Sequence, residues 1–396
     1  MRASLSRRRF LQAASLVGLA PTIPTFLAKT SWAAPTEKEQ PILVVVQLDG
    51  GNDGLNTVVP FADEGYAKHR QQLQLPTANL HKLDDSIGLH QQMQGLSQLW
   101  QDGNLAIVNG VSYPNPSQSH DVSMSVWQTG RPDSRDVLDY GWLGRSLDQL
   151  KEGPGSDAVF TEQRAKPLAL TGRKCITTSL TDAKDMQLHA QLQASTGQDS
   201  DGDLQQFLSR STLDAYATSE QLQGLALSED SDVPYPETEF SQRLKLISSL
   251  IKSGWQSRVY YAVQGGYDTH AGQLFTHARL LRRLSDALLA FQKDLQATGL
   301  ADRVVTMCFS EFGRRVAENG SAGTDHGTAG PVFVFGSKVQ GGLYGDIPSL
   351  LELENGNLKT AVDFRQIYAT LLERWLEVNS ENVLGGPHSA MEFLQA

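Results

Sequence analysis

Acidic and histidine residues recur in this chain where long β-branched, apolar runs stop. Ile42-Leu43-Val44-Val45-Val46-Gln47-Leu48 ends at Asp49, and Arg258-Val259-Tyr260-Tyr261-Ala262-Val263 leads to Asp268 and His270. Val304-Val305-Thr306-Met307-Cys308-Phe309-Ser310 leads to Glu311, and Asp325 and His326 follow in a Gly-flanked turn. Runs of this kind suit strands buried on both faces, as in a parallel sheet covered by helices. In such sheets ligands bind beyond the carboxyl ends of the strands, so four loops distant in sequence are expected to converge. Carboxylate oxygens and imidazole nitrogens hold divalent ions. Asp49, Asp268, His270, Glu311, Asp325 and His326 are therefore candidate metal ligands.

The first residues indicate where that chemistry takes place. Ser6-Arg7-Arg8-Arg9-Phe10-Leu11-Gln12 has the twin-arginine pattern, and an apolar stretch continues through Leu16-Val17-Gly18-Leu19-Ala20 to Phe26-Leu27-Ala28. This stretch is too short, and too broken by Pro21 and Pro24, to span a membrane comfortably. Ser31-Trp32-Ala33 supplies small residues for signal peptidase, so residues 1–33 are expected to be a signal peptide cut after Ala33 or Ala34. The twin-arginine translocon is then the partner during export. The mature chain is expected to be periplasmic or secreted, without a stable membrane span.

Composition is that of a globular protein, with 40% apolar and 20% charged residues, and 34–396 is expected to form a single domain. The formal charge of −10 includes five basic residues of the signal, so the mature chain is near −15. That balance argues against nucleic acid and against an anionic membrane surface. An anionic substrate would need local positive charge, from bound metal or from Arg314 and Arg315. Two cysteines, Cys175 and Cys308, make no disulfide framework, and Cys308 in a strand-like run is expected to be a buried thiol.

Along the chain, strand and helix patterns alternate. The Asp49 strand meets the Gly-rich loop Gly50-Gly51-Asn52-Asp53-Gly54, and Gln91 to Trp100 reads as a helix. Leu105-Ala106-Ile107-Val108 reads as a strand, and a short helix passes Met124 and Trp127 to end at Thr129-Gly130. Lys166-Pro167-Leu168-Ala169-Leu170 reads as a further strand, and 181–223, rich in Gln, Ser and Asp, as a helical insertion or cap. Ala271 to Leu300 has apolar residues at helical spacing, Gly330 to Gly336 reads as a strand and Asp363 to Val378 as an amphipathic helix. The fold class is α/β, a mostly parallel sheet with helices on both faces.

Leu48-Asp49-Gly50-Gly51-Asn52-Asp53-Gly54-Leu55-Asn56, Ser119-His120, Gly141-Trp142-Leu143-Gly144-Arg145, Tyr267-Asp268-Thr269-His270, Ser310-Glu311-Phe312-Gly313-Arg314 and Gly323-Thr324-Asp325-His326-Gly327 carry a resemblance. Together they resemble the domain of unknown function family 1501, whose members are largely twin-arginine exported bacterial proteins of the alkaline phosphatase and sulfatase superfamily. The resemblance runs from about Pro41 to Leu394. It implies that Asp49 is the first metal ligand, that Asp268 and His270 are the middle pair, and that Ser310-Glu311 and Asp325-His326-Gly327 are the later ligand motifs. Two departures stand out. Phe312 lies where a second metal site often has a His, and one residue separates the middle pair where three is common, so a second site is weak, differently built or absent.

The same resemblance makes Ser119 the nucleophile, ten residues before Thr129-Gly130-Arg131, with Ser117 and His120 as close competitors. A helix start suits such a residue because its free N–H groups and dipole favour a phosphate or sulfate oxygen, although Ser is also a common plain N-cap. No Cys lies in this turn, which excludes the formylglycine chemistry of Cys-type sulfatases. Arg314 is a candidate for pairing with the substrate anion, or with a carboxylate such as Glu318. Asn52 and Asp53 are either an anion cradle or a plain turn. His69, His81, His90, His189 and His277 sit in no motif and are expected to face solvent.

The reading is an exported hydrolase of phosphate or sulfate esters that depends on zinc, calcium, magnesium or manganese. Its substrate is a small anionic ester or a sulfated or phosphorylated polymer. The alternative is an inactive, metal-stabilised binding or envelope-assembly protein of the same fold.

Overall fold

The computed structural model describes residues 40–132, 138–150, 157–181 and 231–394. The expected signal peptide, and all but the first residue of the expected cap at 181–223, lie outside the described residues.

Among the described residues the strands are β1 (Ile42–Asp49), β2 (Val58–Val59), β3 (His81–Lys82), β4 (Gly88–Leu89), β5 (Leu105–Ser112), β6 (Ala158–Phe160), β7 (Thr177–Ser179), β8 (Val259–Gly265), β9 (Val304–Ser310), β10 (Gly330–Phe335), β11 (Gly342–Tyr344) and β12 (Val362–Asp363). β2, β4 and β3 form a small separate sheet, and the others form one sheet in the order β11-β5-β10-β9-β1-β8-β6-β7, with β12 also paired to β5. Every pairing in the large sheet is parallel except the two made by β10. A parallel return needs a crossover element, and no helix lies between β9 and β10 in the loop that carries Glu311 to His326. The chain therefore turns straight back. The carboxyl ends of β1, β5, β8 and β9 and the amino end of β10 consequently share one edge of the sheet.

The helices named below are α1 (Gln94–Gln101), α2 (His120–Thr129), α3 (Trp142–Leu147), α4 (Glu239–Lys252), α5 (Gln273–Ala297) and α6 (Phe364–Thr370). Successive strand residues point to opposite faces, and both faces are covered. Val44, Val46, Tyr260 and Ala262 pack with Leu96 of α1, Leu244 and Ile247 of α4, and Leu281, Leu284 and Leu288 of α5. Leu43, Val45, Tyr261 and Met307 pack with Trp127 of α2, Trp142 and Leu143 of α3, and Ile367 and Tyr368 of α6. Burying each such Val or Leu fully contributes roughly 1.5–3 kcal/mol. A polar residue at Val44 or Val45 would lose that and break one of the two layers.

Two expected elements differ. Residues 166–170 are not a strand but end in a 3-10 turn, Leu168–Leu170, since Pro167 has no N–H for a ladder and the Leu168 N–H goes to the Gln128 side chain at 2.9 Å. The helix expected over Asp363 to Val378 is α6, N-capped by Asp363, which accepts from Arg365 N at 2.9 Å, followed by a π turn over Leu371–Trp375. Cys308 is buried and both cysteines are free, as expected.

Candidate metal centre

The loop after β1 turns through Gly50 and Gly51 with φ of 119° and 73°, where L side chains are strained. Space forbids a side chain as well. A Cβ on Gly50 would lie 2.5 Å from Asp268 N, and one on Gly51 would lie 2.2 Å from the Phe312 ring. The two glycines thus let the β1 loop press directly against the loops after β8 and β9, which is how the candidate groups come within reach of one another.

At the centre of the site is Asp268 Oδ1. Arg314 Nη2 lies 2.6 Å from it, His270 Nε2 3.0 Å, His326 Nε2 3.2 Å and His120 Nε2 3.6 Å. The Nε2 atoms of His270 and His326 are 2.9 Å apart. Donor atoms of His120, Asp268 and His326 all fall within 4.8 Å of one another, the spacing of a metal-ligand group.

The far side of each imidazole is held by an acceptor. His120 Nδ1 lies 2.7 Å from Glu311 Oε1, His270 Nδ1 3.2 Å from Asp325 Oδ1, and His326 Nδ1 2.8 Å from the Gln118 carbonyl. Each Nδ1 thus faces an acceptor, and a proton held there would leave the Nε2 lone pair for the centre, the arrangement that ligating histidines need. His120 Nε2 is buried and makes no hydrogen bond. Two facing ring nitrogens, an unpartnered buried nitrogen and a carboxylate form a donor set that fits a divalent cation.

Charges around the site support the same reading. The hydrogen bond to Glu311 raises the His120 pKa above its ordinary value against partial burial. Partial burial works to raise the Asp268 carboxyl, but the hydrogen bond and charge of Arg314 hold it below the usual carboxylate range. The hydrogen bond from Asn319, with that from His270, likewise lowers Asp325. Glu311 is almost fully buried and also accepts from Gly50 N at 3.0 Å, so it ties His120 to the β1 loop.

The remaining candidates are distributed as follows. Asp49, at the end of β1, accepts from Gln47 Nε2 at 3.1 Å and pairs with Arg164 at 2.9 Å, outside the three-residue group. Glu311 and Asp325 hold histidines from behind. Arg314 is buried, and its guanidinium reaches the carbonyls of Gly50, Gly51, Tyr267 and Thr324 as well as Asp268. It does not pair with Glu318, which accepts from Gln72 N at 2.8 Å and Leu73 N at 2.9 Å. Ser119 is the exposed N-cap of α2, and its hydroxyl makes no capping bond. Ser117 Oγ accepts from Ser119 N at 3.1 Å. The Phe312 ring lies 4.9 Å from that of His120 and 5.0 Å from that of His326.

Beneath the β1 loop Asn52 and Asp53 belong to a second polar cluster, whose other members the sequence reading missed. Asp53 is fully buried and ion-paired with Arg70 at 2.6 Å, and Asn52 Oδ1 lies 2.9 Å from His277 Nε2. His90 and His277 are buried and do not face solvent as expected, and burial pushes each down to about 4. A signal for His277 was present, since it stands three and four residues before Leu280 and Leu281 on the packed stripe of α5. Nothing local marked Arg70, Thr269, Gln273 or Thr324.

A family model described as a protein of unknown function (DUF1501) matches residues 40–386. No curated protein matches the sequence. Among solved structures the chain is similar to the PsFucS1 sulfatase from Pseudoalteromonas sp., at 10% identity and a TM-score of 0.40 over 99% of this chain and 76% of that one. It is also similar to a protein in the alkaline phosphatase superfamily from Vibrio parahaemolyticus, at 10% identity and 0.37 over 77% and 62% of the two chains. Murine ectonucleotide pyrophosphatase/phosphodiesterase 5, in an inactive form with AMP, gives 10% identity and 0.44 over 90% and 100%.

Proposed function

The chain belongs to the DUF1501 family of proteins of unknown function, and we propose that within it this protein is an exported, metal-dependent hydrolase of phosphate or sulfate esters. The observation that carries the reading is the set of three Nε2 atoms aimed at Asp268 Oδ1 with every Nδ1 pinned from behind. His120, Asp268 and His326 would hold the cation, with His270 beside them. The chemistry supplied by a divalent ion held there would be polarisation of an ester oxygen and a lowered pKa for a nearby hydroxyl or water.

The chain's own groups supply the rest. Arg314 keeps Asp268 ionised, Glu311 and Asp325 fix the tautomers of His120 and His270, and the Gln118 carbonyl does so for His326. The Ser119 hydroxyl, next in sequence to His120 and unused in capping, is the proposed nucleophile. The first turn of α2 directs N–H groups toward an incoming phosphoryl or sulfuryl oxygen. Substrates of this class are small anionic esters or sulfated or phosphorylated polymers. The twin-arginine pattern at Ser6 to Gln12 supports a periplasmic or secreted location and the translocon as the export partner.

A second reading, a metal-stabilised binding or assembly protein, is favoured by Phe312, whose buried ring stands against both His120 and His326 where further polar ligands would otherwise fit. A phosphate and sulfate ester screen on wild type, Ser119→Ala and Ser117→Ala separates the two readings. Hydrolysis that collapses in Ser119→Ala while bound metal persists supports the enzyme. Activity on no ester in a metal-loaded wild type favours the binding protein. Activity that survives both substitutions refutes a serine nucleophile and points to water.

A further inference from the structure

Beneath the site one carboxamide joins the two loops that carry Asp268, His270 and His326. Gln273, the first residue of α5, is fully buried. Its Oε1 accepts from Thr269 Oγ1 at 3.1 Å and from Thr324 Oγ1 at 2.6 Å, and its Nε2 donates to Asp53 Oδ2. Thr269 stands between Asp268 and His270, and Thr324 directly precedes Asp325 and His326. The two loops also touch through Thr324 N and the Thr269 carbonyl at 3.3 Å. Asp53 is anchored in turn by both terminal nitrogens of Arg70, which also donates to the carbonyls of Val316 at 2.6 Å and Arg315 at 2.9 Å.

We propose that Gln273 is a positioning residue that sets the separation of the 268–270 and 324–326 loops, and with it the close approach of His270 Nε2 to His326 Nε2. The chemistry requires a carboxamide here. Its N–H group meets the Asp53 carboxylate while its oxygen takes two hydroxyl donors, two roles that an apolar or a carboxylate side chain cannot combine. A Leu of similar size would leave two buried hydroxyls without their acceptor, and a Glu would set a second carboxylate against Asp53. His120 lies outside this linkage, since Glu311 holds it from another loop. The geometric claim stands on the hydrogen bonds alone, and its consequence for cation affinity rests on the proposed function.

The test uses chelator-stripped, nitrogen-15-labelled full-length protein, wild type beside Gln273→Leu and Thr324→Val, with nuclear magnetic resonance of the histidine ring nitrogens. The ring signals of His270 and His326 should shift in both variants while that of His81 stays in place. Titration calorimetry with zinc and with manganese should then show affinity lowered roughly 10–100-fold, the usual cost of removing a group that supports a ligating His. If Gln273→Leu does not fold, Thr324→Val decides, because it deletes one hydroxyl and leaves the Gln273 bonds to Thr269 and Asp53. A folded Thr324→Val with His270 and His326 signals at wild-type positions overturns the proposal, whatever the wild type binds. Displaced signals in a protein whose wild type takes up neither ion support Gln273 as the spacer and count against the cation site instead.

Discussion

The same residue types are used in opposite ways on the two sides of the β1 loop. On the outer side Asp268, His120, His270 and His326 are partly exposed and bring ring nitrogens and a carboxylate oxygen to a common point. On the inner side Asp53, Arg70, His277 and His90 are buried, with Asp53 tied to Arg70 and Gln273 and His277 tied to Asn52. Burial pushes His277 and His90 to about 4, so both are neutral at physiological pH, whereas the Glu311 carboxylate raises His120. Burial works to raise the Asp53 carboxyl too, yet Arg70 overrides it and holds it below the usual range. The difference teaches that a charged cluster becomes a candidate site when its electron pairs face outward, and a brace when every one is matched internally.

The largest expected effect is on the brace. Arg70→Met leaves Asp53 as an unpaired buried carboxylate and should cost about 3–5 kcal/mol in a denaturant titration. His270→Gln, on the partly exposed side, should change stability far less than that in the stripped protein. Comparable losses for the two variants would erase the contrast.

Next comes pH. His277 and His90 have folded-state values near 4 against an ordinary 6.5, so between these values the unfolded chain binds more protons than the folded one. The contribution of these two histidines to stability is therefore fully present above about 6.5, falls as pH drops through the window, and levels off below about 4. Each histidine should contribute roughly 3 kcal/mol to that slope. His277→Gln, which keeps a donor for Asn52, should flatten the midpoint-against-pH curve by its share, and an unchanged curve would mean that His277 is not buried as described.

A smaller effect falls on Glu311. Glu311→Gln retains the shape but loses the carboxylate that orients His120, and metal affinity read by calorimetry should fall about 10–100-fold. The smallest belongs to Arg164, whose pair with Asp49 is nearly half-exposed on both sides. Arg164→Ala should shift stability by less than about 1 kcal/mol. A larger loss would place Asp49 among the braces.

Much of the fold was legible because continuous apolar runs such as Val44 to Val46 and Val304 to Phe309 have few alternatives to a doubly covered strand. The orientation of β10 was not, since direction depends on how the loop from Glu311 to Ala329 returns and not on the strand's own residues. Candidate ligands were legible because strand ends share one edge of such a sheet. What each does there was harder to read. Gln273, Thr269 and Thr324 carry no charge, and the Gln273 links to Asp53 and Thr324 run to residues far away in sequence. Arg314 is the most instructive case. A guanidinium beside an anion site suggests a substrate contact from sequence, yet here it is buried against four carbonyls and Asp268, and that was visible only once the loops were folded together.

The central claim is that the outward-facing cluster holds a divalent ion. Elemental analysis of the folded, signal-free protein beside an Asp268→Ala, His326→Ala double variant tests it most directly. The account predicts stoichiometric zinc, calcium, magnesium or manganese in the wild type that disappears in the variant while the fold persists. A wild type that stays metal-free after incubation with those four ions would contradict it.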